Sequence, residues 1–129
     1  NLMPVGGGMG LLDFQDGALG HPAYDLVSLV EDARRDVAPA VRAATVARYQ
    51  ALSGLRDLEA AMAVHAAQRH LRVAALWVRL ARRDGKTHYL AHGPRCWALL
   101  ERALQHPATA PLRDYLDSHV PTHLRANPA

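Results

Sequence analysis

Asp13 is the residue whose surroundings demand a chemical explanation. It stands in Gly10-Leu11-Leu12-Asp13-Phe14-Gln15-Asp16-Gly17, where two leucines and a phenylalanine bracket one carboxylate. That pattern is expected where a short buried strand ends and must expose a charge. An unpaired buried carboxylate is costly, so Asp13 requires a cation or several hydrogen-bond donors. Backbone amides in the turn announced by Asp16-Gly17 could supply those donors without any catalytic role. The sequence on either side has to decide between the two.

Other residue types capable of chemistry carry weaker patterns. His65 and His70 are five apart, which points them to different sides of a helix, and neither belongs to an HExxH pattern or has a cysteine partner. His88 with His92, and His119 with His123, have i, i+4 spacing, yet each pair adjoins a break at Gly93-Pro94 or Pro121. No histidine zinc site is expected. Ser28, Ser53 and Ser118 lie outside any GxSxG turn, which removes a hydrolase elbow. Gly6-Gly7-Gly8 lacks the Lys-Ser/Thr of a phosphate-cradling loop and reads as a plain turn. Arg69, Arg72, Arg79, Arg82, Arg83 and Lys86 form a basic run, but they spread around a helix with no aromatic stacking platform. They read as a solvated face, and no nucleic-acid partner is expected. A non-catalytic helical module binding nucleic acid or a protein through that run is the rival reading of another class.

The elements that must position Asp13 follow from patterning. Leu2–Val5 and Met9–Phe14 flank the glycines and read as a hairpin, too small to be stable alone and so expected to lie on helices. A first helix begins after Pro22, with Tyr24, Leu26, Val27, Leu29 and Val30 apolar, Glu31 to Asp36 polar, and Asp25 in its first turn. A second runs from Ala38 to about Leu52, stopped by Ser53-Gly54, and a third from near Asp57 to about Arg83, stopped by Asp84-Gly85. Val73, Leu76, Trp77 and Leu80 mark the buried stripe of the third helix, which extends backwards to Arg69, Ala66 and Met62. A guanidinium on that face is expected to pair with a carboxylate of a neighbouring helix, to snorkel outward, or to meet a ligand. Pro94 opens a fourth helix and Pro111 a short fifth, and the tail after Pro121 is expected to be loose.

With 129 residues the chain is one domain's worth and can bury about two thirds of its unfolded surface. Half of it is apolar but only 5% aromatic, which implies an aliphatic, alanine-rich helical core. The single cysteine, Cys96, excludes an internal disulfide and suits a reducing compartment. The longest apolar stretch, Val73 to Val78, is far too short to span a membrane, so a cytoplasmic protein with no membrane partner is expected. The chain opens on Asn1 without an initiating methionine, as expected of a segment of a longer polypeptide.

Three stretches taken together resemble the aminoglycoside phosphotransferase family of protein-kinase-like small-molecule kinases. They are Asn1-Leu2-Met3, then Leu11-Leu12-Asp13-Phe14-Gln15-Asp16, then Gly20-His21-Pro22-Ala23-Tyr24-Asp25-Leu26-Val27-Ser28-Leu29. Further along, Gln68-Arg69-His70-Leu71-Arg72-Val73, Arg79-Leu80-Ala81-Arg82-Arg83-Asp84-Gly85-Lys86, Tyr89-Leu90 and Pro94-Arg95 are similar to one branch. That branch comprises the bacterial anomeric sugar kinases of cell-wall recycling, which act on N-acetylmuramate and N-acetylglucosamine.

The resemblance implies a mainly α chain with a short N-terminal β-hairpin, the helical C-terminal lobe of a protein-kinase-like fold. Residues 1–17 would be the metal-binding hairpin and 18–129 the helical subdomain. The nucleotide-binding lobe would lie outside the chain, and so would the catalytic base, about five residues before Asn1 in the His-x-Asp-x-x-x-x-Asn loop. Asn1 matches the asparagine of that loop and Asp13 the aspartate of the Asp-Phe-Gly motif, so both are implied to hold Mg²⁺ bridging the phosphates of ATP. Gln15 replaces the motif's glycine, so no glycine hinge is assumed. Asp25 matches an aspartate that braces the catalytic loop. Sugar contacts are expected among Gln15, Asp16, Arg34, Arg69 and His70. The implied activity is transfer of a phosphoryl group from ATP to a sugar hydroxyl, inactive in this segment alone. An aminoglycoside acceptor is the alternative within the family, but polycations call for an acidic cleft and this chain carries a net charge of +3.

Overall fold

A computed structural model describes residues 1–13 and 17–126. Two short antiparallel strands, β1 (Leu2–Val5) and β2 (Gly8–Leu11), precede five α-helices: α1 (Ala23–Val30), α2 (Pro39–Ser53), α3 (Leu58–Asp84), α4 (Gly93–Ala103) and α5 (Ala110–His119). The chain is thus mainly helical with an N-terminal hairpin, the C-terminal lobe of a protein-kinase-like fold. Three-residue and six-residue 3-10 turns at Thr87–His92, Pro107–Thr109 and Thr122–Leu124 join or follow the later helices.

The hairpin closes through Gly6-Gly7, where Gly7 has φ +84°, a conformation that side chains disfavour. Its register pairs Leu2 with Leu11, Met3 with Gly10, Pro4 with Met9 and Val5 with Gly8, so β2 ends before Leu12. The hairpin does not lie buried on the helices as its apolar composition predicts. Met9 is 61% and Leu11 67% exposed, and Leu2, Met3 and Val5 are about half exposed. Four-residue strands with glycine at two of the four β2 positions offer too little side-chain surface to anchor the pair.

The helical body is organised around α3, whose 27 residues span about 40 Å. Its first half, through Leu58, Met62, Ala66 and Ala67, packs on Ala23, Leu26, Val27 and Val30 of α1 and on Leu100, Ala103 and Leu104 at the end of α4. Its second half joins Ala74 and Trp77 to Ala33 and Cys96, with Val73, Leu76 and Leu80 at the margin. The small residues let α1 and α4 approach closely, and Trp97 borders both clusters. Inside the second, Trp77 Nε1 donates to Cys96 Sγ at 3.2 Å, and burial pushes the Cys96 thiol up. α2 contributes no buried side chain, and Val46 and Tyr49 only reach the rim of the first cluster.

Two boundaries depart from the sequence pattern. α1 stops at Val30 instead of continuing through the polar residues to Asp36, because Glu31 leaves helical geometry (φ −132°, ψ 54°) to enter the interior. Asp32 then accepts the Arg34 N–H at 2.7 Å, and Arg95 Nε donates to the Asp32 carbonyl at 2.7 Å, which fixes the connection to α2. The tail past Pro121 is not loose as far as Arg125. That guanidinium is buried, donating to Val120 O at 2.7 Å and Glu101 Oε1 at 2.8 Å and pairing with Asp117.

Core packing and the peripheral place of α2 set opposite mutational costs. Leu100→Ala, at a site with no exposure, is expected to lower unfolding free energy by about 2–5 kcal/mol, whereas Val41→Ala on the open face of α2 should change it by less than about 0.5 kcal/mol. Denaturant titration of both variants checks the contrast.

Candidate active site

The hairpin register determines where the two ends meet. Pairing of Leu2 with Leu11 brings Asn1 opposite Leu12, whose N–H donates to the Asn1 carbonyl at 3.0 Å. One residue later the backbone of Asp13 turns into the left-handed region, φ +59°, which aspartate tolerates better than most residues. The Asp13 side chain thereby returns toward Asn1, and Asn1 Nδ2 donates to Asp13 Oδ2 at 3.1 Å. Both side chains are exposed.

This pair fits a hard divalent cation on its own geometry. Amide oxygen and nitrogen exchange places when the Asn1 amide turns by a half rotation, which would set two oxygens side by side at the observed spacing. Adjacent oxygens around octahedral Mg²⁺, at 2.0–2.1 Å from the ion, stand about 2.9 Å apart. Two protein ligands with open space beside them suit an ion that keeps water and phosphate oxygens in its other positions. No cluster of three or more His, Cys, Asp or Glu able to enclose a metal occurs among the described residues.

The remaining expected residues fall in different places. Gln15 and Asp16 lie outside the described residues. Asp25 occupies the first turn of α1 with its side chain exposed, near the positive end of the helix dipole. Arg34 is an exposed residue of the α1–α2 connection, its guanidinium 4.0 Å from Asp32. Arg69 is half-buried and meets a phenol in place of a carboxylate, donating from Nη1 to Tyr24 Oη at 3.2 Å. His70 is corrected from a sugar-contacting residue to a core residue. Its ring has no exposure, and Nε2 lies 2.9 Å from Glu31 Oε2.

Glu31 is the buried charge centre of the helical body that the sequence pattern does not reveal. It is 3% exposed, and besides His70 it receives Arg42 Nη2 and Arg102 Nη2, each 2.8 Å from Oε1. An ionised carboxylate only accepts, so His70 Nε2 carries the shared hydrogen. Burial pushes the Glu31 carboxyl up. The hydrogen bonds from His70 and Arg42 and the charges of Arg102 and Arg42 outweigh that and lower it to about 2. One signal was available, since Glu31 continues the buried stripe of α1 at i+4 from Val27. Its partners were not, because 39 residues separate it from His70 and 11 from Arg42.

A cleft of about 580 Å³ between α3 and α5, lined by Val64, Leu71, Ala75, Pro111 and Leu112 among others, contains none of the expected site residues. No helix among the described residues is long and apolar enough to cross a membrane.

Residues 1–65 match the model of the phosphotransferase enzyme family. The chain is similar to the N-acetylmuramate/N-acetylglucosamine kinase of Caulobacter vibrioides, 42% identical over 120 residues, covering 91% of this chain and 33% of that protein. The kinases of the same name from Pseudomonas aeruginosa and Neisseria meningitidis serogroup B are 35% identical over 128 residues and 39% identical over 111 residues. Those two alignments cover 92% and 79% of this chain, and 38% and 33% of the relatives. The chain therefore spans about a third of the length of the curated relatives it matches.

The folded-state carboxyl of Glu31 lies below its ordinary value, so its stabilising effect is complete above about pH 4.5 and is lost as pH falls toward about 2. Glu31→Gln leaves two guanidinium groups without their shared carboxylate and is expected to cost about 3–5 kcal/mol at neutral pH. It should also flatten the acid limb of the stability curve between those two values. Chemical denaturation across pH 2–7, with the native protein alongside, measures both effects.

Proposed function

Since this chain belongs to the phosphotransferase enzyme family, we propose that the full-length protein transfers the γ-phosphoryl group of ATP to a sugar hydroxyl, the anomeric one of N-acetylmuramate or N-acetylglucosamine. The observation that carries the reading is the convergence of Asn1 and Asp13 across the hairpin at 3.1 Å. The names of the similar kinases support the acceptor class. On this proposal the protein works in the cytoplasm, in cell-wall recycling.

Phosphoryl transfer asks little covalent chemistry of a protein and much positioning and charge neutralisation. Bound Mg²⁺ would supply the positive charge that offsets the phosphate oxygens. Asn1 and Asp13 would hold it, with the carboxylate contributing charge and the amide a neutral oxygen. The hairpin ladder fixes their separation, so the pair is organised before ligands arrive. Asp25 would brace the catalytic loop from the start of α1. The base that takes the acceptor proton, and the lobe that holds the nucleotide, are assigned to sequence upstream of Asn1. The exposed Leu2, Val5, Met9 and Leu11 favour that assignment, because such a surface calls for cover from the rest of a longer protein.

Asp13→Asn in the full-length protein removes the charge with little change of shape. It is expected to lower kcat about a thousandfold or more and to raise the Mg²⁺ concentration needed for half-maximal rate. A coupled ATP-consumption assay with either sugar measures both, and near-normal turnover would remove Asp13 from the site.

A further inference from the structure

Among the described residues, Arg69 is the half-buried arginine that lacks a carboxylate. Arg42 and Arg102 share Glu31, Arg95 pairs with Asp36, and Arg125 pairs with Glu101 and Asp117. Arg69 has no ion pair among the described residues. Its Nη1 donates to the Tyr24 hydroxyl, its guanidinium carbon lies 5.6 Å from the centre of the Tyr24 ring, and its Nε is buried without a hydrogen-bond partner. Holding a desolvated guanidinium in a fixed pose without an anion is unfavourable unless something completes it.

The groups beside it form a row of rings. Tyr24 meets the His65 ring edge-on at 6.1 Å, and His65 stacks on His21 at 5.4 Å. His21 Nδ1 accepts the Ala23 N–H at 3.2 Å, so the hydrogen of the neutral ring resides on Nε2. An exposed ring donor, a phenol and an arginine fork are thereby arrayed along one row of flat side chains, at the start of α1 and eight residues after Asp13 in sequence.

Resting on the acceptor reading above, we propose that Arg69, aimed by Tyr24, binds the carboxylate of the acceptor sugar and so sets the preference for N-acetylmuramate over N-acetylglucosamine. The two sugars differ by the lactyl ether of the former, which ends in a carboxylate. A planar guanidinium matches a carboxylate two-pronged, where an ammonium offers only a point charge.

The test is steady-state kinetics of the full-length enzyme with each sugar in parallel. Arg69→Met is expected to reduce the ratio of kcat/KM for N-acetylmuramate to that for N-acetylglucosamine about ten- to a hundredfold, through KM for the anionic sugar. Arg69→Lys should recover part of the ratio, and Tyr24→Phe, which keeps the ring and removes the aiming hydroxyl, should lower it less than Arg69→Met. Ratios within twofold of the native enzyme in all three variants overturn the assignment. Equal losses on both sugars with a raised KM for ATP also overturn it, by moving Arg69 to the nucleotide. A native enzyme that phosphorylates neither sugar removes both this assignment and the reading beneath it. Thermal unfolding accompanies each variant, and if Arg69→Met does not fold, the Arg69→Lys and Tyr24→Phe ratios decide.

Discussion

The helical body depends on one buried carboxylate. Glu31 ends α1, and its partners come from three other helices: Arg42 from α2, His70 from the middle of α3 and Arg102 from the last turn of α4. A lone charge at this depth would be strongly unfavourable, so Glu31 stays ionised there only with these partners in place. This explains how α2 holds its place while burying no side chain of its own. Apolar contact at Val46 and Tyr49 supplies adhesion, and the Arg42 fork on Glu31 supplies position.

The candidate metal pair obeys different physics. Asn1 and Asp13 are brought together by a local ladder of backbone bonds and one left-handed residue, and both are exposed. Nothing in the helical core is needed to bring those two side chains within 3.1 Å of each other. Rigidity in the helices and local register in the hairpin therefore divide the work. The body presents Tyr24, His65 and Arg69 on fixed helices, and the hairpin presents an amide and an acid on a short, exposed ribbon.

Much of this was legible in order along the chain. Glycines at 54 and 85 end α2 and α3 where the sequence says they should, and Pro94 and Pro111 fall within the first turns of α4 and α5. Trp77 sits at the centre of the predicted stripe and is buried. The errors over buried polar residues share a cause. Glu31 and His70 look like polar surface and a ligand candidate, respectively, until they are seen to satisfy each other across 39 residues. Arg125, in a tail that composition marks as loose, is held by Glu101, 24 residues earlier.

The sequence by itself determined the helix count, the stops of α2 and α3, the hairpin and the amide and acid at its two ends, because caps, turns and periodicity act over a few residues. Tertiary structure alone decided which polar groups are spent inside and which stay available. Burial turns on what a side chain meets from distant segments, and a charge's cost or use is fixed by that meeting. Thus His70 Nε2 is taken by the Glu31 carboxylate, while Arg69, its neighbour in sequence, meets only the Tyr24 phenol.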